Sequence, residues 1–324
     1  MLTAYVDDKN RFRKCEVDGD ALPPDCVWID LLHPTRDEER LVEAHLGMEV
    51  PTHEDMLEIE ASSRLYREGD ALFMTAILLS KTDSESPEAT PVSFVLSGET
   101  LVTIRYSEPR AIEAFITRGQ RSVGAYRSGE AVLIGLLEAI VDRTADILER
   151  IGLEIEALSR EVFEHQSRKA DAARELREIL RNIGQRGDLN GKARESLVSL
   201  GRLLTFLTQG LARESASREL RSRLKTLNRD LASLTDHSSF LSNKFNFLLE
   251  ATLGMINIEQ NAIIKIFSVA AVVFLPPTLI ASIYGMNFQF MPELDWHFGY
   301  PLAIALMIGS AIVPYLFFKR RGWL

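Results

Sequence analysis

"IFSVAAVVFLPPTLIASIYGMNFQFMP", Ile266 to Pro292, carries no charged side chain. At about 1.5 Å of rise per residue, about 20 helical residues cross the hydrocarbon of a bilayer, so this stretch is long enough to span one. A second uncharged run, "FGYPLAIALMIGSAIVPYLFF" (298–318), follows after a short link, and the basic end Lys319-Arg320-Arg321 follows that. Two such runs in tandem before a basic end predict membrane spans rather than core helices. By the excess of Lys and Arg on the inner side, the basic end faces the cytoplasm, and two spans return the chain to the side where it starts. Lys265, at the inner mouth of the first span, agrees with this. Both termini are therefore expected in the cytoplasm and the chain in the inner, cytoplasmic membrane, with only the link around 286–297 outside. Lys265 and the Lys319–Arg321 cluster also fit a basic collar around the inner mouth, and the two roles are compatible.

Charge is split along the chain. The whole carries −9, the last sixty residues carry +2, and residues 1–264 therefore carry −11. An acidic soluble part repels nucleic acid and draws cations weakly, in a salt-dependent way. The start, MLTAYVDDKNRFRK, has no apolar core of signal-peptide length. Cys15 and Cys26 match no zinc spacing and make no disulfide framework.

Residues 1–125 read as a small α/β domain. Cys26–Leu32 and Ala71–Ser80 are predicted buried strands. "VSFVL" and "TLVTIRY", joined by Ser97-Gly98-Glu99, predict a hairpin. "PTRDEERLVEAHLG" predicts a helix capped by Thr35 and Glu38 and stopped at Gly47. "KTDSESPEATP" is expected to be a polar loop. From about Glu130 to Gln260 proline is absent and Leu, Glu, Arg and Ala dominate, which predicts long helices over 126–262. Asn182–Ser196 is the one strong break expected in this region. The last helix is expected to begin near Ser217 and to run unbroken into the first span, taken as 263–285. The second span is taken as 298–318 and the basic tail as 319–324.

Neither uncharged run, 266–292 or 298–318, contains Asp, Glu, His, Lys or Arg, the groups that pumps and proton-coupled carriers use as relays. Two helices leave no room for the inverted repeats of secondary transporters. The chain has no G-x-x-x-x-G-K-[ST] loop, so no nucleotide site of that kind. Transport by this chain would be passive, through a pore shared by several copies. Asn261, Ile264, Ser268, Ala271, Leu275, Thr278, Ser282 and Gly285 recur at alternating steps of three and four, one helix face at about 3.5 residues per repeat. Small and hydroxyl residues on such a face suit a pore, and they also suit close packing between helices. Pro276 and Pro277 each remove a backbone donor and free a carbonyl one turn earlier. At the outer mouth Tyr284, Gly285, Met286 and Asn287 offer a ring of amide and carbonyl oxygens without formal charge. Such a ring suits an ion that keeps its water, as Mg2+ does. Glu293 and Asp295 just outside would raise the local cation concentration.

"YGMNFQFMPELDWHFGYP", "NIEQNAIIKIFSVAAVVFLPPTLIASIYGMN" and "LFFKRRGWL" resemble the Gly-Met-Asn motif, first membrane helix and C-terminal ending of the CorA family of magnesium channels. "WIDLLHPTRDEE" and "EIEASSRLY" resemble the family's N-terminal part. The resemblance implies a funnel-shaped homopentamer with an α/β cytoplasmic domain on long stalk helices that become pore helices. It implies that Gly285-Met286-Asn287 selects hydrated Mg2+, with Co2+ and Ni2+ as minor cargo. Asn261 and Ile264 would line the inner mouth, Leu275 a hydrophobic constriction and Thr278 a polar ring. The resemblance puts Phe267 on the pore where the spacing prefers Ser268, and both stand. It also implies gating by cytoplasmic Mg2+ between subunits. Asp230 and Asp236 on the stalk are candidates for that site, and each is equally read as a solvated charge. Zinc transport by the family's divergent branch is an alternative, and a membrane-anchored scaffold without a pore is another. An enzyme is not expected, since no nucleophile–base pair, metal-ligand cluster or phosphate loop is recognisable.

Overall fold

A computed structural model of the chain describes residues 1–8, 11–15, 22–84, 86–121, 124–163, 172–212, 218–287, 291–292 and 296–322. At the N-terminus Leu2–Asp8 (β1) pairs antiparallel with Arg11–Cys15 (β2) on one side and with Cys26–Leu32 (β3) on the other. All of β3 but its last residue is buried, which accounts for its almost unbroken apolar sequence. The hairpin of β1 and β2 has no clear signature in the sequence, because its strands alternate charged and apolar residues too briefly to stand out.

Helix α1 (Arg36–Leu46) starts and stops as its sequence predicts. Thr35 and Glu38 form a reciprocal capping box, and Gly47 closes the helix at φ 70° with its N–H donating to the Glu43 carbonyl. Two short helices, α2 (His53–Leu57) and α3 (Ala61–Arg64), lead to β4 (Leu65–Glu68), β5 (Ala71–Ser80), β6 (Glu88–Ser97) and β7 (Thr100–Arg105). The seven strands lie in the order β2-β1-β3-β7-β6-β5-β4, antiparallel throughout except for the parallel pair β3–β7. Gly98, at φ 56°, turns the β6–β7 hairpin.

The polar loop after β5 is shorter than expected. Glu88–Pro91 extends β6 and pairs with β5, where Pro91 lies opposite Ile77. Ile77 finds other partners: its N–H donates to Ser199 Oγ at 2.8 Å and its carbonyl accepts from Ser196 Oγ at 2.7 Å. A proline in a sheet is tolerated where the neighbouring backbone groups are satisfied in this way.

Four of the remaining helices are α4 (Arg110–Gly119), α5 (Gly129–Phe163), α6 (Ala172–Ala212) and α7 (Arg218–Tyr284); the last is α8 (Gly299–Arg320). The expected break at Asn182–Ser196 does not exist: α6 runs straight through it. Glycine in a helix interior costs about 1 kcal/mol, and here packing offsets it. Leu189, Ala193 and Leu197 are buried, and the Asn190 side-chain amide donates to the Ser238 carbonyl and Ser242 Oγ of α7. The chain forms two compact units, Met1–His165 with Arg181–Leu248 and Gln166–Leu180 with Leu249–Leu324. In the first, Ile29, Leu31, Met56, Phe73, Val95 and Ile104 belong to one hydrophobic core. Tyr5, Phe12, Trp28, Phe115 and Tyr126 form an aromatic cluster beside it.

Candidate ion pathway

Helix α7 is a single helix of 67 residues, as the lack of a stop signal predicts, and it starts one residue after Ser217. It and α8 are long and apolar enough to cross a membrane. Between residues 266 and 284 the two sides of α7 differ. Val269 is buried, and Val273, Pro276, Pro277, Ile280 and Tyr284 are half-buried. These positions form one face, covered by the rest of the chain. On α8 Ala303 is buried likewise.

The residues singled out from the sequence lie elsewhere on α7. Asn261, Ile264, Ser268, Ala271, Leu275, Thr278 and Ser282 are all exposed. At about 100° per residue the middle of this stripe falls opposite the middle of the covered face. Ser268 lies about 30° from the stripe's midline and Phe267 about 70° on its other side, and both are exposed. Phe267 is 72% exposed and Leu275 63%. The chain thus covers one side of α7, with Val269, Val273 and Ile280, and leaves open both the stripe of small, amide and hydroxyl groups and the large apolar residues Ile266, Val272, Phe274, Leu279 and Ile283 that flank it.

Inside α7, Pro276 and Pro277 supply no N–H to the carbonyls of Val272 and Val273. The Thr278 hydroxyl donates to the Leu275 carbonyl at 2.9 Å, so it is turned back to its own helix in a single chain. The helix ends at Tyr284. The Gly285 N–H closes it on the Ala281 carbonyl at 2.9 Å, and Met286 N–H reaches the Ile283 carbonyl at 3.3 Å. Gly285 is absent from the residues with left-handed φ. A Cβ there would stand 3.1 Å from the Ala281 carbonyl oxygen, a tight approach that a shift of a few tenths of an ångström relieves. Gly285, Met286 and Asn287 are exposed at this end. Glu293 and Asp295 lie outside the described residues. Arg321 sits over the Phe317 ring at 5.3 Å, which ties the basic end to α8.

Asp230 and Asp236 are both exposed on α7, and six residues put them about 120° apart around the helix. One chain does not bring them together. Asp230 borders a cleft of about 470 Å³ with Arg118, Glu138, Asp142 and Arg223. There Arg223 and Glu138 form a two-pronged ion pair at 2.8 and 2.7 Å. Among the described residues no group of three or more His, Cys, Asp or Glu is arranged to hold a metal ion.

The charged cluster that sequence reading missed lies on the β5–β6 loop. Asp83 accepts from Arg110, Arg143 and Arg150. The hydrogen bond from Arg150, aided by the charges of Arg110 and Arg143, holds the Asp83 carboxyl below its ordinary range. No local signal marks this cluster, because its members are spread over 67 residues of chain.

A family model described as CorA-like Mg2+ transporter protein matches residues 24–320. The magnesium transport protein CorA of Salmonella typhimurium and that of Escherichia coli K12 are each 38% identical to this chain over 325 residues, covering all of both sequences. In fold the chain resembles the complete structure of the CorA magnesium transporter from Methanocaldococcus jannaschii (TM-score 0.75, 21% identity, 100% of this chain and 99% of that one). It also resembles the ZntB cytoplasmic domain from Vibrio parahaemolyticus (TM-score 0.59, 10% identity, 79% of this chain and 97% of that one). An α/β sheet domain, long helices and two C-terminal apolar helices are common ground with the full-length archaeal structure. With its family model spanning nearly the whole sequence and relatives aligned end to end, this chain belongs to the CorA-like Mg2+ transporter family.

Proposed function

We propose that this chain assembles as a homopentamer around a passive pore that admits hydrated Mg2+ to the cytoplasm. The carrying observation is the open, uncharged face of α7 opposite the face its own chain covers, leading to Gly285-Met286-Asn287. Five copies of that face would make a wet tunnel of amide, hydroxyl and small groups. Its neutral acceptors hold the polarised waters of a divalent ion without binding it too tightly to release. A membrane potential supplies about 4.6 kcal/mol per 100 mV for a doubly charged ion, so no ATP is required. In this reading residues 1–125 are the cytoplasmic domain, 126–262 the stalk, 263–285 and 298–318 the spans, 286–297 the outer link and 319–324 the inner basic end. Asn261, Ile264, Ala271, Leu275, Thr278 and Ser282 line the path together with Phe267 or Ser268. Glu293 and Asp295 concentrate cations at its mouth. Asp230 or Asp236, meeting a neighbouring copy, is the site where cytoplasmic Mg2+ closes it.

The test is ion flux into liposomes holding the purified full-length protein, with Mg2+, Zn2+, Co2+ and Ni2+ compared side by side. An inside-negative potential is expected to drive Mg2+ in, with Co2+ and Ni2+ slower, and without nucleotide or a proton gradient. Faster Zn2+ than Mg2+, or a need for a proton gradient, would overturn the reading.

A further inference from the structure

From Leu224 the inward positions of α7 recur at alternating steps of three and four through Leu231, Ser238 and Phe245 to Leu248, and Ser238 is the one polar residue among them. On α6 the same spacing runs from Asn190 through Leu197 and Leu204 to Leu211. Every position on it is 2% exposed or less, and Asn190 is its one polar residue. Both stretches lie in the first compact unit. They face each other and run antiparallel, with Gly187 beside the Phe245 ring, Asn190 beside Ser238 and Ser242, and Gly201 beside Leu231. This is the heptad spacing of a coiled-coil seam, leucine against leucine, with one polar layer in it.

The polar layer is fully bonded. The Asn190 amide donates to the Ser238 carbonyl at 3.1 Å and to Ser242 Oγ at 2.8 Å, and its oxygen accepts from Ser238 Oγ at 3.3 Å. Ser242 Oγ in turn donates to the Ser238 carbonyl at 3.0 Å. Asn190 is 1% exposed and Ser238 is fully buried, so solvent does not stand in for these partners. A leucine seam alone is degenerate, because a slip of three or four residues, about 5 Å, sets leucine against leucine again. A buried amide is not degenerate, since any slip leaves it against leucine with its bonds unmade. Helix α6 is itself held on the sheet by Ser196 and Ser199 at the backbone of Ile77.

We propose that the layer of Asn190, Ser238 and Ser242 is a register latch. It selects one axial position of α7 on α6, and through α6 on the sheet, from the several that the leucine repeat allows. A single buried Asn fixes the register of coiled-coil seams in the same way, at some cost in stability. Any movement of α7 along α6 must first break this layer. The latch joins helices within one chain and stands independently of the pore reading.

The experiment uses the full-length chain in lipid nanodiscs, with Cys15 and Cys26 replaced by Ala. Spin labels are placed at Arg194→Cys on α6 and Lys225→Cys on α7, both exposed and outside the seam. Labelled copies are diluted with unlabelled ones, so that pulsed electron resonance reads the distance within one chain. The two sites are offset along the helix pair, and a slide changes their separation directly. The parent is expected to give one narrow distance. Asn190→Leu with Ser238→Ala, which makes the layer apolar, is expected to add a second distance several ångströms away, with helix content unchanged. Asn190→Ala, which leaves both hydroxyls to bond their own helix, is the milder variant and is expected to add the same second distance. A folded variant with only the parent's distance overturns the proposal. Loss of helix content in both variants overturns it too, since the layer would then hold the fold rather than choose its register. Two distances in the parent would mean that no register is selected, with the same consequence.

Discussion

Asp30 and Arg105 form a buried ion pair on the adjacent parallel strands β3 and β7, with Arg105 Nη2 2.8 Å and Nε 3.0 Å from the carboxylate oxygens. Their side chains are 5% and 9% exposed. The Thr103 hydroxyl donates to Asp30 at 2.7 Å while accepting from the Trp28 indole at 2.9 Å. Removing one partner leaves the other charge buried alone, which costs about 3 kcal/mol or more. Asp30→Asn is therefore expected to lower the stability of the sheet domain by about that amount, read as an earlier urea midpoint with an unchanged slope. Arg105→Lys is expected to restore little, because an ammonium cannot reproduce the two-pronged geometry.

Two glycines of α5 make a contrasting pair. A Cβ at Gly129 would stand 2.6 Å from the Leu101 nitrogen and 2.8 Å from the Glu99 carbonyl oxygen, while a Cβ at Gly152 meets nothing within 4 Å. Backbone cannot step aside as a side chain can. Gly129→Ala is expected to destabilise by about 2 kcal/mol. Gly152→Ala, in an open helical position, is expected to stabilise by about 0.5–1 kcal/mol. Thermal unfolding of both variants beside the parent checks the signs.

The cysteines differ in reactivity. Burial pushes the Cys26 thiol up to about 11, against smaller opposing effects of its contacts with the Tyr5 and Trp28 carbonyls. At pH 8 Cys26 in the folded protein is a protonated, buried thiol, and the thiolate is the reactive form. A maleimide is expected to modify half-buried Cys15 first and Cys26 only after denaturation. Mass spectrometry of peptides labelled at pH 8 tests this, and equal labelling of both in the native protein would contradict it.

The Asp83 clamp carries a pH dependence of known sign. Its folded carboxyl titrates lower than the unfolded one, through the Arg150 hydrogen bond and the charges of Arg110 and Arg143. Its stabilisation is complete above the ordinary aspartate range and is lost as pH falls through the depressed folded value. The urea midpoint of the parent protein is expected to fall across that acid range as the clamp is protonated. Asp83→Asn is expected to start from a lower midpoint and to lose that part of the fall.

Much of this architecture is legible in the sequence where one local rule suffices. Cys26–Leu32 and Ala71–Ser80 are strands over the residues expected, and Thr35, Glu38 and Gly47 end their helix as their chemistry dictates. The unbroken α7 follows from the lack of any stop before the apolar run. Failures occur where tertiary contacts override local preference. Asn182–Ser196 has the composition of a break, yet Asn190 is bonded to Ser238 and Ser242 and the helix continues. Pro91 reads as loop, yet serines of α6 satisfy the backbone of Ile77 opposite it. On α7, periodicity picks out a face that the single chain leaves open. The spacing places Ser268 on that face and Phe267 at its edge, and both are exposed. Asp230 and Asp236 stand out by charge and place on a helix, and a single chain keeps them on different sides of it.

Asn287 stands exposed just beyond the end of α7, where the uncharged face reaches the outer side in the reading proposed here. Potential-driven Mg2+ influx into liposomes by Asn287→Ala, with the oligomer's mass measured on the same sample, tests that reading most directly. Loss of influx with an unchanged assembly is the expected result. Influx equal to that of the parent protein from an intact oligomer would contradict it.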